Sequence, residues 1–139
     1  MSKEIEEKRA KRKADAEAAR AEQYEKDLEA LDKLEEEHGD NRVAALEVRG
    51  YVKGLPTLVV VKSPGKFYKR YTDKVRKAAG KNATAVGEAQ DELGEACIVY
   101  PSEPDVRKAM FAEFTGTLVS AAMRAIEFAE LEADNEKKG

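Results

Sequence analysis

This 139-residue chain has little of what most catalytic and metal sites are built from. It contains one cysteine, Cys97, one histidine, His38, and no tryptophan. A single cysteine cannot close a disulfide within the chain, which favours a reducing compartment. Cys97 and His38 also lie far apart in sequence, so the ligand spacing of a zinc site is missing. We therefore predict neither a metal nor a cofactor.

The chain also lacks long apolar segments. Apolar runs such as Leu58 to Val61 are far too short to span a membrane. The N-terminal letters "MSKEIEEKRAKRK" contain no apolar core of a signal peptide. Charged residues make up 38% of the chain, yet the net charge is only -3, so charge can select a partner only locally. We expect a soluble, cytoplasmic protein that does not bind membranes.

The stretch "EACIVYPSEP" raises the question of whether Cys97 is a nucleophile. A nucleophilic cysteine needs a base and positive charges that lower its pKa. The only histidine is distant, and residues 91–105 contain no Lys or Arg. Free cysteines are usually small buried residues. We interpret Cys97 as a core residue at the end of a helix, and we predict that the protein is not an enzyme.

The N-terminal third predicts one long helix that ends at Gly39, which serves as its C-cap. Residues 1–23 carry alanines among charges and form a charged helical arm with little to bury. From Tyr24 onward large apolar residues recur at spacings of four and three, which predicts a stripe that docks on the rest of the protein. The members of this stripe are Tyr24, Leu28, Leu31 and Leu34.

Residues 24–132 are predicted to form a single α+β domain in which helix dominates, followed by a polar tail, residues 133–139. Two strands are expected, around "RVAALEVRG" and at "TLVVV", with the second strand covered on both faces or on most of one face. Four helices follow, and "CIVYP" is interpreted as a helix end that leads into a turn. Ser102 is the predicted N-cap of the next helix.

Residues 62–81 form the strongest local concentration of basic charge. Aromatic residues at helical spacing alternate with these charges, so the segment is compatible with nucleic-acid binding and equally with a helix that packs its aromatic face inward. A small nucleic-acid-binding accessory protein is therefore the alternative function. The basic patch comprises Lys66, Lys69, Arg70, Lys74, Arg76 and Lys77, with Lys62 and Lys81 at its ends.

The segments "DLEALDKLEEEHGDNRVAALEV", "GLPTLVVVKSPGKFYKRYTDKV" and "ACIVYPSEPDVRKAMFAEFTG", followed by the alanine-rich "LVSAAMRAIEFAEL", carry a family resemblance. Together they resemble the tail assembly chaperones of long-tailed bacteriophages and prophages. Cys97, Tyr100, Pro101, Phe114 and Gly116 match the family's step from one helix to the next. The resemblance covers about three quarters of the chain and leaves residues 2–23 outside it.

The resemblance implies a non-enzymatic chaperone that binds and solubilises the tape-measure protein in the bacterial host cytoplasm during tail assembly. The tail-tube protein is a further implied partner, self-association is left open, and nucleic acid is disfavoured. Alanine and methionine faces of the C-terminal helices suit either adaptable contacts with a partner or the core of the monomer, and the residues concerned are Met110, Ala121, Ala122, Met123 and Ala125. The predicted anchors for the partner are Phe111, Phe114, Met123 and Ile126.

Overall fold

A computed structural model describes residues 2–78, 80 and 82–138 of the chain, without the side chains of residues 134–138. Two predictions fall on positions outside this range. The spacing of four from Phe67 and Tyr71 predicts Ala79 on the inner face of a helix, and Lys81 is the predicted end of the basic segment.

The chain order is one long helix, two strands, two helices, a short strand and two more helices. The elements are α1 (Lys3–His38), β1 (Val43–Glu47), β2 (Leu58–Lys62), α2 (Lys66–Ala78), α3 (Ala83–Cys97), β3 (Ile98–Tyr100), α4 (Pro104–Glu113) and α5 (Thr117–Lys138). The predicted helix-dominant α+β class is confirmed. No helix of the described residues combines the length and the hydropathy needed to cross a membrane.

The three strands form one antiparallel sheet in the order β1-β2-β3. In β2, Leu58 and Val60 point to the face that α1 covers, and Val59 and Val61 point to the face covered by the other helices. All four side chains are buried, so β2 is covered on both faces, which is one of the two arrangements that its β-branched sequence allows. The sheet is therefore a central layer between α1 and the remaining helices.

The third strand corrects the prediction that "CIVYP" leads directly into a turn. Cys97 is the last residue of α3, and Ile98 to Tyr100 then pair with Val60 and Val61 of β2. Three residues carry almost no strand signal by themselves. The strand forms because the far edge of β2 supplies the hydrogen-bonding partners.

Helix α1 docks through the half that the apolar stripe predicts. Leu28, Leu31 and Leu34 pack against Val43, Leu58 and Val60 of the sheet. Tyr24 is 37% exposed and marks the end of the docked half. The helix ends at Gly39, whose N–H donates to the carbonyl of Glu35. Residues 3–22 are exposed apart from Ala19, so most of the arm touches nothing else in the described chain.

On the opposite face of the sheet, α3 and α5 pack closely. Gly94 of α3 makes this possible, because a Cβ atom there would lie 2.2 Å from the carbonyl oxygen of Leu118. Ala121, Ala122 and Ala125 of α5 are fully buried beside it, so small side chains line this helix contact. Phe67 and Tyr71 of α2 pack against the same core, as their spacing predicts.

Two helix boundaries differ from the sequence interpretation. Helix α4 begins at Pro104 with Glu103 in the N-cap position, so Ser102 is not the cap. Proline fits the first turn because its missing N–H has no helical partner there. Helix α5 continues to Lys138, so it includes residues 133–138 of the predicted polar tail.

Candidate protein-interaction surface

Cys97 lies in the core cluster and has no exposed surface. Burial raises the pKa of its thiol from the ordinary 9.0 to about 11. The thiol is therefore protonated near neutral pH, which is the opposite of what a nucleophilic cysteine requires. In the part of the chain that is described, no three His, Cys, Asp or Glu side chains are close enough together to hold a metal ion.

The basic patch lies on α2, and its charges divide into two groups. Arg70 and Lys74 form ion pairs with Glu92 of α3, and the hydrogen bond from Lys74 lowers the pKa of that carboxyl. Lys66, Lys69, Arg76 and Lys77 are exposed. Because Phe67 and Tyr71 are directed toward the core, they are not free to stack on bases.

The predicted anchors occupy different environments. Phe111, Phe114 and Ile126 are half-buried and pack against the core, whereas Met123 is 54% exposed. Met110, Ala121, Ala122 and Ala125 are buried core residues, so they are not exposed for a partner in this conformation. The ambiguity arises because α5 carries apolar residues on more than one face. Val119, which the sequence analysis did not single out, is 44% exposed one turn before Met123.

A groove of about 370 Å³ lies beside this part of α5. Its walls come from the end of β1, from the turn between α4 and α5, and from the first turns of α5. The apolar lining residues include Leu46, Val48, Val59 and Phe114, and the polar ones include Arg49, Thr117 and Ser120. A second cleft, lined by Arg42, Arg124, Phe128 and Leu131, lies at the other end of β1. The two grooves follow β1 and the side of α5 next to it.

The two edges of the sheet differ in how their outward backbone groups are covered. At the β3 edge, the Arg107 guanidinium donates to the carbonyl oxygens of Ile98 at 2.7 Å and Pro101 at 3.1 Å, and so covers that edge. At the other edge, the Val48 N–H donates to the Thr57 carbonyl, and the Ser63 N–H donates to the Arg42 carbonyl. These two hydrogen bonds fix which backbone groups of β1 point toward β2. The alternating pattern then directs the backbone groups of Val43, Ala45 and Glu47 outward. They have no strand partner within the described chain.

A buried carboxylate joins α1 to the sheet. Asp27 has no exposed surface, and its Oδ2 accepts from the Thr57 backbone N–H at 2.7 Å and from the Thr57 hydroxyl at 2.6 Å. Its Oδ1 accepts from Gln23 at 2.9 Å and from the Tyr100 hydroxyl. Burial and the hydrogen bond to Asp27 raise the pKa of Tyr100. Because every donor is supplied by the protein, this network positions α1 and is not aimed at a ligand.

The sequence analysis did not identify Asp27, the open edge of β1 or Val119. A signal for Asp27 existed, because position 27 falls on the same helix face as Tyr24, Leu28 and Leu31. Comparison with protein-family models, with curated proteins and with solved structures finds no match to this chain.

Proposed function

We propose that this protein is a non-enzymatic tail assembly chaperone of a long-tailed phage or prophage, which binds the tape-measure protein in the host cytoplasm and keeps it soluble. One observation carries the proposal beyond the sequence resemblance. Val119 and Met123 expose apolar side chains on α5, and Thr117 and Ser120 of the same helix line an apolar groove that runs along the end of the edge strand β1.

These features suit a partner that exposes apolar segments before it assembles. Val119 and Met123 are one helical turn apart, so they present a short apolar stripe to an amphipathic helix. Methionine side chains adapt to partners of different shape because they are flexible and polarisable. The tail-tube protein is a second partner of the same proposal, since it assembles around the tape-measure protein.

The outward backbone groups of β1 add a second kind of contact. An extended segment laid along Val43, Ala45 and Glu47 would extend the sheet by one strand and satisfy these groups. Leu46 and Val48 would lie beneath that segment in the groove. Backbone pairing is tolerant of sequence, which suits a chaperone that binds many segments of one long client.

The non-enzymatic part of the proposal is supported by the position of Cys97 in the core. We expect a folded Cys97→Ser protein to retain the biological activity of the wild type. A selective loss of activity in a Cys97→Ser protein with wild-type circular dichroism and thermal stability would contradict a purely structural cysteine.

The direct test is co-expression with the tape-measure protein of the same phage. We expect the soluble fraction of the tape-measure protein to rise several-fold with the chaperone and to co-purify with it. The matched control is co-expression with an unrelated soluble helical protein of similar size. Equal solubility with both proteins, without co-purification, would reject the proposal.

Nucleic-acid binding through α2 remains the alternative, and exposed Lys69, Arg76 and Lys77 favour it. It has weaker support because Glu92 already pairs with Arg70 and Lys74, and because the aromatic side chains of Phe67 and Tyr71 pack inward. Titration with an oligonucleotide at increasing salt separates the two functions, since phosphate contacts weaken steeply as salt rises.

A further inference from the structure

The two faces of the sheet differ next to the open edge of β1. A strand added at this edge would lie about 4.8 Å from β1, and its side chains would alternate between the two faces. Helix α1 borders one face, and the groove beside α5 borders the other. The residues on each face therefore decide which kind of segment fits the edge.

The contacts of Asp27 identify the flank of α1 that lies toward β1. Its Oδ1 accepts from Tyr100 of β3 and from Gln23, so the flank that carries Gln23 lies toward β3. Successive residues are about 100° apart round a helix, which puts Gln23 about 40° from Asp27 in one sense. Asp32 and Glu35 lie about 140° and about 80° from Asp27 in the opposite sense. These two carboxylates are therefore on the flank toward β1.

This side of the edge carries uncompensated negative charge. Glu47 of β1 adds a third carboxylate, because it lies on the same face of the strand as Val43, which α1 covers. The lysines in the docked half of α1, Lys26 and Lys33, lie on the other flank of the helix. Within the described part of the chain, none of the three carboxylates forms an ion pair. We call this set the acidic flank, and its members are Asp32, Glu35 and Glu47.

The other face of the sheet is apolar next to the same edge. Leu46 of β1 is half-buried and lines the groove together with Val48 and Phe114. Every second side chain of an added strand would fall over this groove. Large apolar side chains at those positions would remove the exposed part of Leu46 from water.

We infer that the edge of β1 binds an extended segment in which Lys or Arg alternates with large apolar residues. The basic side chains lie against the acidic flank, the apolar ones fill the groove, and the backbone pairs with Val43, Ala45 and Glu47. The inference rests on the proposed chaperone function and names the kind of client segment that the edge selects. The edge recognises a pattern of charge and hydropathy, so it accepts many sequences.

A second copy of β1 does not have this pattern. In a twofold antiparallel pair of β1 strands, the residues added on the α1 face are Val43, Ala45 and Glu47, so the only charged group is another carboxylate. The same symmetry places both α1 helices on one face of the joined sheet, with their acidic flanks toward each other. Like charges repel, so the edge fits a basic client segment better than a second copy.

The experiment titrates the isotope-labelled full chain with capped peptides of about seven residues and follows the amide signals by NMR. The first peptide alternates lysine and valine, and the second alternates glutamate and valine. The third has the composition of the first, with its lysines and valines in separate blocks. We expect the lysine–valine peptide to bind at least about tenfold more tightly than either of the others, and the difference to shrink at about 500 mM salt.

Hydrogen exchange identifies where the peptide binds. The outward N–H groups of Val43, Ala45 and Glu47 should become protected when the lysine–valine peptide is present. Those of Ala44 and Leu46 should change little, because they already face β2. Protection confined to residues outside β1 would contradict binding at this edge.

Ala45→Pro tests the backbone pairing. Proline is tolerated in an edge strand where its missing N–H would have pointed away from the sheet, so the hydrogen bonds from β1 to β2 are retained. The variant should bind the lysine–valine peptide at least about tenfold more weakly than the wild type. Circular dichroism verifies that it is folded, and the charge variants below test the same inference if it is not.

A charge reversal tests the acidic flank. The reversed protein carries Asp32→Lys, Glu35→Lys and Glu47→Lys. It should bind the glutamate–valine peptide more tightly than the lysine–valine peptide, which is the opposite of the wild-type preference. The matched control changes the net charge equally at exposed positions of α1 away from the edge, and it carries Glu29→Lys, Glu36→Lys and Glu37→Lys. The control should keep the wild-type preference.

Three results would overturn the inference. They are equal binding of the lysine–valine and glutamate–valine peptides, an unchanged preference in the reversed protein, and a wild-type dimer that Ala45→Pro abolishes, which would assign the edge to a second copy. A protein that binds the tape-measure protein but not the lysine–valine peptide would overturn this inference alone. A protein that binds the peptide at β1 but not the tape-measure protein would overturn the proposed function and leave the specificity of the edge standing.

Discussion

The carboxylate of Asp27 accepts a hydrogen bond of 2.6 Å from the hydroxyl of Thr57, which lies 30 positions later in the chain. The Thr57 backbone N–H binds the same carboxylate oxygen, and Tyr100 binds the other one. These hydrogen bonds fix the long helix to the residue just before β2 and to the end of β3. A shift of α1 by one residue would leave the carboxylate buried without these donors, so the network sets the register of α1 on the sheet.

We expect Asp27→Ala to lower the free energy of unfolding by about 3 kcal/mol, since it leaves buried donors of Thr57 and Tyr100 without an acceptor. Asp91→Ala, at an exposed position of α3, is the control and should change the free energy by less than about 0.5 kcal/mol. Urea denaturation measures both. If Asp27→Ala does not fold, Tyr100→Phe is the second variant, because it removes only one donor. A free energy of unfolding of Tyr100→Phe that equals the wild-type value would argue against the network.

Two glycines of α3 provide a matched pair for the packing of α3 on α5. Gly94→Ala should destabilise the protein by roughly 2 kcal/mol or more, because its Cβ would collide with the backbone of Leu118. Gly87→Ala has open space around it and should stabilise the helix by about 0.5–1 kcal/mol. Thermal melts compare the two proteins. Equal melting temperatures would mean that α3 and α5 are not packed at this distance.

Removal of residues 1–20 should leave the melting temperature nearly unchanged, since residues 2–20 bury almost nothing. Leu31→Asp should lower it clearly, because it places a charge on the stripe that packs against the sheet. Differential scanning calorimetry tests both variants. A truncated protein that fails to fold would show that the division of α1 into an arm and a docked half is wrong.

Much of this architecture follows from the sequence by simple pattern. The stripe of Leu28, Leu31 and Leu34 predicts the docked half of α1, and the β-branched run in β2 predicts a strand that is covered on at least most of one face. The third strand could not be predicted, because Ile98 to Tyr100 become a strand only when β2 is already in place. Asp27 differs from the exposed carboxylates of α1 in lying on the docking stripe, but its hydrogen-bond donors could not be predicted, because Thr57 and Tyr100 lie 30 and 73 positions away in the chain.

In the C-terminal helices, too, the sequence alone does not distinguish core residues from residues of the candidate surface. Ala121, Ala122 and Ala125 suit either a core or a partner contact by composition, and only the packing of α3 on α5 assigns them to the core. Val119 was missed for the converse reason. A valine in an apolar helix is usually interpreted as buried, whereas here it faces solvent beside Met123.

The stability of the protein should fall as the pH rises above about 9. Burial raises the pKa of Cys97 to about 11, so between the ordinary value of 9.0 and this one the unfolded chain releases a proton that the folded chain retains. The raised pKa of Tyr100 acts in the same direction above its ordinary value of 10.0. Urea midpoints at about pH 8 and about pH 10.5 should differ less in Cys97→Ala than in the wild type. An identical decline in both proteins would show that the thiol does not contribute.

The most direct measurement of the central claim is the affinity of the purified protein for the tape-measure protein. Co-purification and titration calorimetry compare Val119→Glu and Met123→Glu with the wild type. Ala83→Glu, at an exposed position at the start of α3, is the control, and circular dichroism verifies that every variant is folded. A charge on the exposed face of α5 should weaken binding at least about tenfold, because the new carboxylate would lose its hydration when the partner covers it. Ala83→Glu should bind like the wild type. Undiminished binding by folded Val119→Glu and Met123→Glu proteins would contradict this surface, and no binding by the wild type would contradict the chaperone function itself.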